Sequence, residues 1–152
     1  MNQLSRNSLI ISLSLLFLSA NGMAQEPSEK EAIKQAIIQT YAHPLYGGGS
    51  LEDIRAGLHE GFEMFVLYQG EFRKSSKAEW IKRLEEVRSR PKKSNRPKVK
   101  RSYEFAMIDV TGQTAMVKLE VFQDDTLKFT DYLTLYKFED GWKLMSKLFS
   151  FH

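Results

Sequence analysis

From position 101 onward the chain changes rhythm: apolar residues fall on every second position in four runs, at 102–110, 114–122, 127–138 and 142–151. A period of two is the mark of strands that turn one face to a core. No other feature limits the possible folds as much. Gly112, Asp124-Asp125 and Asp140-Gly141 separate the runs at hairpin spacing, so the second half is predicted to be an antiparallel meander. With Gly112-Gln113 as a two-residue loop, Val110 faces Ala115, Ile108 faces Val117 and Ala106 faces Leu119, one continuous apolar layer. Tyr103, Phe105, Met107, Met116, Tyr132, Tyr136, Met145, Phe149 and Phe151 then fall on the other side. Both faces of the sheet therefore need cover.

The first half has a helical period. Ile33, Ala36, Ile37 and Tyr41 repeat at three- and four-residue spacing and predict a helix over 29–42, which His43, Pro44 and Gly47-Gly48-Gly49 break. Ser50 with Asp53, and Ser76 with Glu79, are capping boxes that open two more helices. The first of these runs through Ile54 and Leu58 and ends near Gly61; the second carries Trp80, Ile81, Leu84 and Val87 on its apolar side. Residues 62–68 form an early strand, and Gly70 turns the chain toward Phe72. Helices first and strands after argue for an α+β fold.

Residues 1–24 have the layout of a secretory signal: Arg6 in a polar start, an apolar stretch from Leu9 to Leu18, and the small residues Gly22 and Ala24 before a cleavage point. The apolar stretch is about ten residues, short of the roughly twenty that a spanning helix needs. The mature protein, 25–152, is long enough for one domain with its own core and is expected in the periplasm or outside the cell. It has no cysteine. This excludes a nucleophilic thiol, a zinc-thiolate centre, an iron-sulfur cluster and any stapling disulfide.

Basic residues are concentrated in 88–101, where Arg88, Arg90, Lys92, Lys93, Arg96, Lys98, Lys100 and Arg101 occur without an acid. The rest of the mature chain is net acidic. The run is a solvated connection that can touch an anionic envelope surface. Export and the lack of aromatic residues for stacking argue against nucleic acid as a partner.

Asp131 is the chemical exception in the strand pattern, since Leu127, Phe129, Leu133 and Leu135 share its parity. A carboxylate on an apolar face must be paired or protonated. It either fixes the sheet, through Ser150 if Asp140-Gly141 is a two-residue turn or through a nearby Arg or Lys, or acts as an acid or base. His59, at a predicted helix end, either hydrogen-bonds the last carbonyls or orients a polar ligand. Tyr41, Tyr68, Trp80 and Tyr132 offer rings for a core or for a ligand pocket. Three scattered histidines without ligand spacing argue against a metal site, and no cofactor is expected. A Gly-x-Ser-x-Gly elbow and a phosphate loop are both absent.

Several pieces together carry a family resemblance: the helix with Ile33 and Tyr41, Leu58-His59-Glu60-Gly61-Phe62, Asp109-Val110-Thr111-Gly112, Phe129-Thr130-Asp131-Tyr132-Leu133, and Gly141-Trp142-Lys143-Leu144. The chain resembles the nuclear transport factor 2-like superfamily, in particular its secreted bacterial subgroup labelled putative lumazine-binding. That resemblance implies a cone-shaped fold with three N-terminal helices on a curved, mostly antiparallel sheet, an apolar cavity between the layers, and a homodimer formed through the sheet. The superfamily holds isomerases, dehydratases and cyclases beside noncatalytic members, so it does not assign chemistry. Three readings follow from the sequence: a binder of a small, largely apolar ligand; an enzyme using Asp131 or another cavity carboxylate with His59 or a tyrosine; or an envelope protein-interaction module.

Overall fold

A computed structural model describes residues 28–91 and 99–152. The expected signal segment lies outside them, as does the middle of the basic run. Helix α1 spans Glu29–Ile37, capped by the Ser28 side chain, and continues without a break as a π-helix over Ile38–Gly47. Helix α2 spans Leu51–Gly57 and α3 spans Lys77–Ser89, both opened by the expected capping boxes. Six strands, β1 (Leu58–Tyr68), β2 (Glu71–Ser76), β3 (Arg101–Thr111), β4 (Thr114–Gln123), β5 (Thr126–Phe138) and β6 (Gly141–Phe151), form one sheet in the order β2-β1-β6-β5-β4-β3. All neighbours are antiparallel except β1 and β6. The fold is α+β, three helices packed on an open and mostly antiparallel sheet.

Two local expectations are corrected. The first helix does not stop at His43-Pro44, because wider turns carry it to Gly47. The second ends at Gly57, and Leu58 already lies in β1, so His59 is a strand residue and has no helix carbonyls to cap. A second early strand, β2, pairs with β1 through a Gln69-Gly70 turn in which both residues have positive φ. That primed turn matches the twist of the strands it joins.

Bulges set which side chains face the helices. Thr111 pairs with Thr114, Val110 with Ala115 and Ile108 with Val117, as the hairpin predicts, but Phe105 rather than Ala106 pairs with Leu119. Ala106 is the extra residue of a bulge, so Tyr103 and Phe105 turn onto the helix-covered face and pack on the core. A bulge at Met145 does the same to the end of β6. Leu135 pairs with Leu144 but Thr134 with Ser146, so Asp131 stands opposite Phe149 and not Ser150. Phe149 and Phe151 consequently share the helix side, where their rings lie 5.2 Å apart. A third bulge, at Lys128, takes Leu127 out of the alternation and sets it opposite Phe122.

The core lies between this face and the helices: Ile33, Ile37, Ile54, Phe62, Val117, Leu119, Leu133 and Leu144 are almost fully buried. The other face leaves Met107, Met116, Tyr132, Tyr136 and Leu148 exposed.

Candidate functional site

Asp131 has no exposed surface. Alternation along β5 aims it at the π-helix, and its Oδ2 accepts hydrogen bonds from the hydroxyls of Tyr41 at 2.6 Å and Tyr46 at 3.4 Å. The wide turns make this convergence possible. In an α-helix a five-residue step rotates a side chain by roughly 140° away from its starting side. A π-helix closes its hydrogen bonds at five residues, so Tyr41 and Tyr46 look the same way, their rings edge to face at 6.4 Å.

Lys147 completes the cluster. It is 7% exposed, its Nζ stands 3.1 Å from Asp131 Oδ1, and it also donates to the Tyr41 hydroxyl. The ion pair is close but poorly angled: among the described residues, Oδ1 is the buried side-chain oxygen or nitrogen left without a hydrogen bond. The ammonium also lies over the rings of Phe149 at 4.6 Å and Tyr41 at 5.2 Å. Burial holds Lys147 below the ordinary lysine range, against the pull of Asp131. Burial likewise pushes both phenols above the usual tyrosine value, with the Asp131 charge adding to it.

A raised phenol pKa has a sign in stability. The contribution of the protonated phenols is complete below pH about 10, where an unfolded tyrosine ionises, and is lost as pH rises toward the elevated folded values. The stability difference between wild type and Tyr46→Phe, measured by denaturant unfolding, should therefore shrink above pH 10 by up to about 1.4 kcal/mol per pH unit. A difference that stays constant from pH 9 to 11 would contradict the assignment.

Lys147 and Tyr46 form part of the wall of a cavity of about 410 Å³ between α3 and the sheet, with Met64, Trp80, Phe129 and Phe149 among its apolar surfaces. Asp131 lies behind that wall and is not among the lining residues. A larger depression of about 770 Å³ lies over α2 and α3, far from this chemistry. Most of its charges pair among themselves, Arg55 with Glu52 and Glu85, and Lys77 with Glu60.

The residues singled out from sequence are distributed over four places. Tyr41, Trp80 and Asp131 come together, the Tyr41 and Trp80 rings 6.1 Å apart. Tyr68 sits at the end of β1 against Phe151, and Tyr132 is 41% exposed on the uncovered face. His59 stacks on Phe138 at 4.9 Å and accepts a hydrogen bond from the Gly61 amide through Nδ1, away from the Asp131 cluster. Sequence reasoning missed Tyr46, hidden in a segment read as a loop, and Lys147, which strict alternation places on the opposite face. The described residues contain no group of three or more His, Cys, Asp or Glu placed to hold a metal, and no helix long and apolar enough to cross a membrane.

The profile of the family described as "Putative lumazine-binding" matches residues 28–150. No curated protein matches the chain. Among solved structures, an NTF-2 like protein of unknown function from Silicibacter pomeroyi is 21% identical, with 82% of this chain and 98% of that one covered and a TM-score of 0.63. An NTF2-like protein from Cytophaga hutchinsonii is 12% identical, covering 83% and 100%, with a TM-score of 0.61. A protein from Streptomyces avermitilis called a putative dehydratase of the NTF2-like family is 16% identical, covering 81% and 95%, with a TM-score of 0.57. At these identities the likeness is one of fold.

Proposed function

The chain belongs to the Putative lumazine-binding family of nuclear transport factor 2-like proteins, and on that footing we propose that it is an exported domain that holds a small, largely apolar molecule between its helices and its sheet. The observation that carries this reading is the cavity of about 410 Å³ beside Trp80, Phe129 and Phe149. Its size and apolar walls, with polar atoms from Lys147, Tyr46 and the arginines Arg83, Arg88 and Arg101, match the general makeup of small-molecule sites. Acid-base catalysis by Asp131 is the weaker reading. The carboxylate is sealed behind Lys147 and two tyrosines, and the described residues that line the cavity include no carboxylate and no histidine.

The uncovered sheet face supports a homodimer. Met107, Met116, Tyr132, Tyr136 and Leu148 leave an apolar surface that a second copy would cover. Export rests on the leader-like start of the sequence.

Native mass spectrometry of protein purified without denaturation tests the ligand and the dimer together. The expected spectrum shows a dimer with added mass on the protomer. A ligand present at a hundred times its Kd should also raise unfolding stability by about 2.7 kcal/mol. A bare protomer mass, with no thermal shift against a panel of apolar small molecules, would remove the binding reading.

A further inference from the structure

The cavity is apolar inside and positively charged at its rim. Met64, Trp80 and Lys147 are buried in its interior, whereas Arg83 and Arg88 on α3 and Arg101 at the start of β3 line it with exposed side chains. No Asp or Glu is among its described lining residues. The charge of Lys147 is matched by Asp131 directly behind it. Among the described residues none of these arginines is in an ion pair: Arg88 donates to the carbonyls of Pro44 at 2.6 Å and Gly49 at 2.9 Å, Arg83 donates to Ser75 Oγ at 3.2 Å, and Glu79 acts on Arg83 only through its charge, without a hydrogen bond to it. Elsewhere on the surface arginines do have carboxylates, as Arg55 has Glu52 and Glu85 and Arg73 has Glu71.

Three like charges gathered at the mouth of an apolar chamber repel one another, and an anion placed among them relieves that repulsion. Guanidinium groups add a forked donor geometry that fits an oxyanion with two parallel hydrogen bonds. A purely apolar guest would use the walls and leave the rim unanswered. Building on the ligand-binding reading above, we infer that this cavity takes an amphipathic anion: an apolar or aromatic body seated against Trp80, Phe129 and Phe149, with one terminal oxyanion, carboxylate or phosphate, held by Arg83 and Arg101. This also gives the two ends of the basic run, Arg88 and Arg101, a shared place in the fold, the first bracing the π-helix and the second facing the guest.

Trp80 lines the cavity and Trp142 does not, so indole fluorescence reports occupancy. Three probes with one body separate the contributions: phenylbutyrate, phenylbutyl phosphate and methyl phenylbutyrate, titrated into the full-length mature protein. At least one anion should bind about ten-fold or more tightly than the neutral ester, with the preference weakened by high salt. The tighter of the two anions names the headgroup. Arg83→Gln with Arg101→Gln, both at exposed positions, should bring the anion down to the affinity of the ester while leaving the ester within about two-fold. Equal binding of the ester and both anions, or a preference that survives the double substitution, would overturn the anionic assignment and leave apolar binding standing. Failure of all three probes to bind would overturn both.

Discussion

Asp131→Asn should destabilise the protein by about 3–5 kcal/mol, the range for removing one partner of a buried ion pair. The substitution keeps the side-chain shape but leaves the Lys147 ammonium without its countercharge in a site that is 7% exposed. Lys147→Met should cost a comparable amount, because it leaves a carboxylate with no exposed surface supported by two hydroxyls alone. The cluster as a whole contributes far less than either loss implies, since taking both charges out of water offsets most of their attraction. The triple variant Tyr41→Phe, Asp131→Leu, Lys147→Met should accordingly be close to wild type in stability or above it. Urea midpoints with unchanged m-values would measure all three. An unaltered midpoint for Asp131→Asn would mean that Lys147 is held as a neutral amine and that the ion pair is wrongly described.

Gly57→Ala should produce the second large loss. A Cβ built on Gly57 would stand 2.1 Å from Thr40 Cβ and 2.2 Å from Thr40 Oγ1, so the end of α2 would have to retreat from the π-helix. Overpacking of this kind costs about 1–3 kcal/mol, occasionally more. Thr40 precedes Tyr41, so the retreat would also disturb the hydroxyl that binds Asp131. Pairing Gly57→Ala with Thr40→Gly should recover much of the loss, with a coupling above about 0.5 kcal/mol in a double-mutant cycle. Simple additivity of the two changes would show that the close approach is not the cause.

Much of this architecture could be read from residue patterns. Two capping boxes placed α2 and α3 because a hydroxyl followed three positions later by an acid is a local hydrogen-bonding device. Period-two runs gave the meander for the same kind of reason, and the Gly112-Gln113 turn fixed the β3–β4 register near Val110. Asp131 was visible as a carboxylate among apolar residues. What stayed hidden depends on insertions of a single residue. Alternation counted onward from Trp142 and Leu144 would turn Ser146 to the helices and Lys147 to the uncovered face, and the bulge at Met145 reverses both. Ala106 does the same for Tyr103 and Phe105. Bulges are set by sheet twist and by the pairing of distant strands, so short-range spacing carries little trace of them. The arginine rim was hidden differently, since Arg83 and Arg101 lie on separate elements and line one cavity only in the folded chain.

The π-helix at Ile38–Gly47 works as a spacer of fixed length. Its two phenols reach one oxygen because the count between them equals a single wide turn. Rewinding that interval as an ordinary, tighter coil with all its residues kept would swing the second ring out of reach and open a gap where the chamber now has a wall, whereas the same coil with one residue fewer would keep both rings on one side. Length and winding in this stretch are therefore as much a part of the chemistry as composition, and variants of this chain that bind the same guest should keep the two matched, five residues with wide turns or four with ordinary ones, even where the intervening side chains change.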